Sequence, residues 1–468
     1  MASLVPHPLS LSRSALVGAL VVLTLLATLT GCDARPCDAA ALTNALASAR
    51  DGETVEVGAC RIAGAFTIPD GVTLSGVAGS VLASVDDRAV LEASGRAFVR
   101  GLDVEVDHGG FGVIGRGELS IEDVEVRVTR GVGIGVEAAS LTATRVSLDG
   151  PITDENADFA AMSAAETGTF GLVARGLTRD HTITLDDVHV SDFAVAGVSI
   201  GGGVLTWQGR DSGPDVEGVR GVGLAIFGTI GAVFSLEVAG MRSGVGMPGI
   251  GVVASPLAGE EAQLLADELS VHDGDGYGLF GDGSAISLRD GRFADLGLIG
   301  VRVQGGLLDA EDLVAERNGG AGVLAIDTES VRIERGRLDA QRESLFVTML
   351  GSARIADGLQ VVRDPMSADA PPLDLTLVGV SLSDNARAGL LLDASDGAIA
   401  TLRIEDVTVS ATGTSLGAIT QRASVAAGWD AMITRAGAAA ANDAAFSTPI
   451  DVVGIMMPPG LIATPPPF

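Results

Sequence analysis

DVEVDHGGFGVIGRGELSIE (103–122), DVEVRVTRGVGIGVEAASLTAT (123–144) and DVHVSDFAVAGVSIGGGVLTWQ (187–208) are three versions of one pattern. Each reads as a short alternating strand, a Gly-containing turn, a second apolar strand, another turn and a third strand. Alternation sends one set of side chains inward and the other outward. The lead valines are Val104, Val124 and Val146, spaced by 20 and 22 residues. A period of that size, carried by strands without helices, specifies a solenoid whose coils pack on their neighbours. The expected fold class is all-β, a parallel solenoid.

The pattern continues through 269–290, 291–312, 313–335 and 379–406. Coils stack about 4.8 Å apart, so ~14–16 of them make a rod of ~65–75 Å. Asn318 and Asn385 each open an N-x-x-x-G turn, residue types suited to positive φ. Four stretches break the rhythm and read as loops: 150–168, 208–218, 254–261 and 363–373. The tail changes composition: 429–445 is Ala-rich and reads as a capping helix, and a Pro-rich extended end follows.

At the other end, Asp38 is placed to N-cap a short helix with Ala41, Leu42, Ala45, Leu46 and Ala49 on one face. A V-x-V strand and the run FTIPDGVTLSG (66–76) come next. A helix laid across the first coil would block its open edge and apolar end. This opening resembles the N-terminus of right-handed parallel β-helix proteins, the pectin-lyase-like superfamily. The resemblance spans roughly residues 38–425 and implies a right-handed parallel β-helix with a short N-terminal capping helix. That superfamily holds polysaccharide lyases, hydrolases and epimerases, and also adhesins and surface proteins with no catalysis, so fold does not fix function.

Residues 1–31 read as an export signal: Arg13, then the apolar run 15–28, too short for a comfortable membrane span. The run ends at Leu29-Thr30-Gly31-Cys32, which resembles the lipobox of bacterial lipoproteins. The resemblance implies acylation of Cys32, a tether over 32–37 and a permanent membrane anchor through more than one acyl chain. The expected location is the cell envelope, at the outer membrane or cell surface rather than the inner membrane. With Cys32 lipidated, the two remaining cysteines, Cys37 and Cys60, are expected to form a disulfide.

The net charge is −30, with 60 acidic residues against 30 basic ones and no lysine. An acidic surface disfavours nucleic acid and anionic headgroups. Without lysine there is no P-loop. Gly244–Gly249 fits G-x-G-x-x-G, but Pro248 and the lack of a following helix reject a dinucleotide site. The Gly197 and Gly413 matches to G-x-S-x-G lie inside coil patterns, without the strand-to-helix turn of a nucleophile elbow.

Three acidic groups are candidate sites. Alignment on the lead valines lines up Asp103 with Asp123 and Arg145, a pairing suited to a catalytic or metal-binding face, and equally to a solvated face laced with charge. Asp273 and Asp275, in HDGDG, with Asp282 have the look of a Ca²⁺ loop but lack the terminal Glu of an EF-hand. Asp154, Glu155, Asp158 and Glu166 sit in the longest loop, with residue types able to do acid–base work. No cofactor is required by the sequence, Ca²⁺ being the one ion it could use. Two functions follow. One is a lipid-anchored envelope rod that binds a polysaccharide or an envelope protein, or serves structurally. The other is a divergent polysaccharide lyase, hydrolase or epimerase, Ca²⁺-assisted. Two Trp and one Tyr are few for a sugar-stacking cleft, which favours the first.

Overall fold

The computed structural model describes residues 35–152, 168–244, 247–348, 351–363, 371–394, 399–411, 416–421 and 432–437. The chain is a parallel β-solenoid with three faces. In the coil opening at Glu118, residues 118–122 form face 1, Asp123 turns a corner, residues 124–128 form face 2, and Val132–Glu137 forms face 3. Face 3 is one stack of 14 parallel strands, from Phe66–Ile68 to Leu416–Gln421. Faces 1 and 2 join in a sheet of 26 strands, because some strands run through the corner between them. About 13 turns result, close to the lower end of the expected range.

The corner explains the sequence rhythm. Leu119 and Ile121 point inward on face 1, and Val124, Val126 and Val128 on face 2. A left-handed residue at 123 (φ 53°) resets the alternation between them. Equivalent corners at Arg145, Asp187, Asp312 and Arg335 have φ of 50–55°. Ten of the 18 non-glycine residues with positive φ among the described residues are Asp, whose short polar side chain tolerates this conformation. The corners therefore recruit acids for backbone reasons.

Register corrects the alignment on lead valines. Val104 pairs with Val126, not Val124, and Val124 pairs with Val146. Asp103 lies inside a strand beside Glu125, whereas Asp123 is a corner residue level with Arg145. The two DVEV segments match in letters and differ by two residues in phase.

Two ladders run inside the rod. Asn318, Gln341 and Asn385 are buried just past one corner and hydrogen-bond coil to coil: Asn318 N–H donates to Gln341 Oε1 (3.0 Å), and Gln341 N–H to Asn385 Oδ1 (3.1 Å). The positive φ expected of Asn318 and Asn385 belongs instead to Arg317 and Asp384, one residue earlier, which frees each amide to turn inward. A second ladder is glycine at the second position of most face-3 strands, including Gly223, Gly251, Gly278 and Gly322, with Gly300 just before the strand Val301–Gln304 continuing the row. A Cβ on Gly278 would lie 2.5 Å from the Gly300 carbonyl oxygen and 2.6 Å from Phe293 Cδ1.

The N-terminal end is closed as expected. Ala39–Ser48 is a helix, α1, capped by Asp38, whose carboxylate accepts the Ala41 N–H at 2.8 Å, and Leu42 and Leu46 are buried. Cys37 and Cys60 are disulfide-bonded with Cα atoms 5.8 Å apart, tying the segment before α1 to an early coil. At the other end, Ile433–Gly437 lies within the segment read as an Ala-rich helix but is a strand, paired with Val407–Ala411. Its β-branched Ile433 and Thr434 suit a ladder better than a helix. Cys32, the 1–31 signal and most of the tail lie outside the described residues.

Face 3 departs from one-sided burial. Phe170–Arg175, Ile250–Ser255 and Tyr277–Asp282 are each buried at five successive positions. Their outward side chains, among them Val173, Ile250, Val253, Tyr277 and Phe280, form a second apolar cluster separate from the interior one.

Candidate functional site

Strand stacking assembles one cleft at the corner between faces 2 and 3. Four successive corners carry Asp192, Gly218, Gly240 and Asp273, all with positive φ. Gly218 and Gly240 have no side chains and Ala239 beside them only a methyl, so a hollow of about 620 Å³ opens between the two aspartates. Glu217, Arg220 and Arg242 line it. A Cβ on Gly218 would collide with Oδ1 of Asp192, so this glycine makes room for a carboxylate. Arg220 is 8 % exposed, and Arg242 Nη1 donates to the Asp273 carbonyl at 2.7 Å.

His272 precedes the lining residue Asp273 and pairs in register with Ala239, which also lines the hollow. Its Nε2 is 3.0 Å from Glu237 Oε1 and its Nδ1 is 2.7 Å from Asp273 Oδ2. Only a doubly protonated ring donates to both. Burial opposes that charge, but the hydrogen bonds to Asp273 and Glu237 outweigh it, and the His272 pKa is raised. Further along face 2, His189 Nε2 lies 3.4 Å from Glu217 Oε1. Between these rungs Asp215 is fully buried; burial raises its pKa, against the N–H groups of Glu237 (2.8 Å) and Arg210 (2.7 Å) that its carboxylate accepts. The arrangement can hold a proton on His272 beside the cleft and present carboxylates and guanidinium groups within it to a polar ligand.

The sequence pointed elsewhere. Asp123 and Arg145 do meet, Nε to Oδ1 at 2.6 Å, and Arg145 also reaches Glu122 at 2.6 Å, but both are about half exposed and sit on a convex corner. The same device recurs: Arg317 meets Asp295 at 2.6 Å and Arg335 meets Asp312 at 2.8 Å. Asp103 is 3.6 Å from Arg127 instead. Asp273, Asp275 and Asp282 are used separately. Asp273 holds His272, Asp275 accepts the N–H groups of Ser243 (2.7 Å) and Gly249 (3.2 Å), and Asp282 ends a face-3 strand, where burial raises its pKa. Among the described residues no three His, Cys, Asp or Glu groups are placed to hold a metal ion. Asp154, Glu155, Asp158 and Glu166 lie outside the described residues. The His272–Glu237 contact was missed because its members are 35 residues apart and no spacing rule joins them; only the coil register does.

A second depression of about 350 Å³ lies on face 1, lined by Phe234, Leu265, Asp267, Arg289 and Arg332. Phe234 is 39 % and Leu265 53 % exposed.

No family model and no curated protein matches the chain. Among solved structures it is similar to a periplasmic alginate epimerase, AlgG, at 9 % identity and a TM-score of 0.36, over 85 % of this chain and 83 % of that one. It is also similar to the A-module of the Azotobacter vinelandii mannuronan C-5 epimerase AlgE4, at 14 % identity and a TM-score of 0.35, over 89 % and 93 %. The similarity is one of fold. Among the described residues no helix is long and apolar enough to cross a membrane.

Proposed function

We propose that the protein is a rod of the bacterial cell envelope, tethered through acylated Cys32, with a binding or structural role. The observation that carries this reading is how its charges are spent. Acids and arginines at the corners pair from coil to coil, as in Asp123–Arg145, Asp295–Arg317 and Asp312–Arg335, so these charges are matched with one another along the surface rather than gathered in one cleft. The aromatic inventory agrees: Trp207 is fully buried and Tyr277 is 6 % exposed. The corner cleft and the face-1 depression are the surfaces offered to a polysaccharide or an envelope protein. The test is metabolic labelling with a fatty acid in a bacterial host, followed by envelope fractionation. Label and membrane association are expected for the full chain and lost in Cys32→Ala; an unlabelled, freely released wild-type protein would exclude the tether.

A second reading, a polysaccharide-modifying enzyme, is favoured by His272 held between Glu237 and the cleft residue Asp273. It requires turnover of an acidic or neutral polysaccharide that His272→Ala abolishes. Turnover unchanged in that variant would remove the cleft from consideration.

A further inference from the structure

The depression on face 1 spans successive rungs of the stack, Ile230–Phe234, Gln263–Asp267, Ala285–Arg289, Leu307–Glu311 and Ser330–Glu334. The outward side chains change character as the stack enters it. Earlier coils present short neutral groups in one register column, Thr142, Thr184, Thr206 and Ala232. The same column continues as Leu265, Ser287, Asp309 and Arg332. At the entrance Phe234 and Leu265 are exposed on adjacent rungs, and Asp267, half-buried, is the register neighbour of Phe234. Among the described residues the Asp267 carboxylate has no ion-pair or hydrogen-bond partner. Arg289, next to it in register, leans instead toward Glu311, with Nε 3.7 Å from Oε2. Arg332 is held by Glu334 at 2.8 Å and Asp309 at 3.4 Å. Glu268 and Asp290, at the corners that follow Asp267 and Arg289, form no ion pair either.

We propose that this depression receives a basic, apolar-flanked segment of an envelope protein. A lysine or arginine head sits on Asp267, and its stem and an adjoining apolar side chain lie over Phe234 and Leu265. This deepens the binding reading above and rests on it. Charge points to the partner's sign: the chain carries −30 and no lysine, so its field draws basic partners and repels acidic ones. Geometry points to the place. A carboxylate that the protein leaves without a cation lies against exposed apolar carbon, and a basic side chain satisfies both at once. Its stem covers the apolar surface while its head reaches the acid, and a cation over the ring of Phe234 gains further from the ring's negative face. Aromatic side chains at the centre of such a contact supply most of the binding energy. An acidic sugar would instead meet Asp267, Asp309, Glu311 and Glu334. A neutral glycan would find little to stack on, since Phe234 is the one aromatic side chain lining the depression among the described residues.

The test titrates the full chain with a short labelled peptide of alternating lysine and leucine, at physiological ionic strength, where attraction to distant charges is screened. Saturable binding is expected, weakened about tenfold by Asp267→Asn and likewise by Phe234→Ser, since each removes one anchor. Glu118→Gln makes the same charge change on the same face several coils away and is expected to bind like the wild type. Binding that falls equally in all three variants, or in none, is diffuse attraction and would overturn the proposal. Preference for dextran, or for the peptide with glutamate in place of lysine, would overturn it as well. Leu265→Ser alters the same apolar wall and decides the matter should Phe234→Ser not fold. The tether is read separately by labelling of Cys32. Lost peptide binding with retained label would therefore remove this site alone, and retained peptide binding without label would remove the tether alone.

Discussion

Asp123 and Asp357 each sit against an arginine of a later coil, and the energetics differ because of water. Asp123 and Arg145 are about half exposed, where solvent screening and side-chain entropy leave an ion pair contributing little. Asp357 is fully buried and paired with Arg387, which also donates to the Arg354 carbonyl at 2.9 Å. Removing Arg387 would strand a carboxylate in the protein, a loss of about 3–5 kcal/mol. Chemical denaturation of Arg387→Ala is expected to show this, with Arg145→Ala nearly neutral. His272 gives the molecule a pH signature. The folded ring binds its proton more tightly than the unfolded one, so its contribution is fully present below about 6.5 and is lost as pH rises through the raised folded value. A melting series from pH 5 to 9 should show this decline in the wild type and a shallower one in His272→Gln; parallel curves would disprove the clamp by Glu237 and Asp273.

Among the elements, face 3 is the most demanding. Its glycine ladder leaves no space between neighbouring backbones, so Gly278→Ala must displace the Gly300 carbonyl or Phe293. Overpacking of this kind costs about 1–3 kcal/mol. Gly168, where a Cβ would meet nothing within 4 Å, is the control: Gly168→Ala should melt within a degree or two of wild type, well above Gly278→Ala. These glycines are visible in the sequence, but their alignment is not, because the coils differ in length and Phe170 follows a long loop. The amide ladder shows the same limit. Asn318 and Asn385 stand out by their turn pattern, whereas Gln341 joins them only through stacking.

For the whole molecule, the ends and the charge matter most. The disulfide between Cys37 and Cys60, 23 residues apart, fixes the cap to an early coil. Its removal in a Cys37→Ser, Cys60→Ser variant is expected to cost about 3 kcal/mol by the chain-entropy argument. The lower melting point should coincide with early exposure of Leu42 and Leu46 to hydrogen exchange in α1. The net charge of −30 attracts cations diffusely. Calcium is expected to shift melting no more than sodium chloride at equal ionic strength. A saturable calorimetric isotherm would instead show a specific cation site.

Sequence alone determined the solenoid, the capped start and the disulfide, because each rests on local alternation, one capping residue or a count of cysteines. It also marked the acidic residues, though not their purpose. Tertiary structure decided the register, and register decided which charges meet. A shift of two residues separates Asp103 from Asp123, and stacking alone brings Glu237 to His272. In a solenoid the partners of a side chain lie one coil away, at a distance in sequence set by every loop between them.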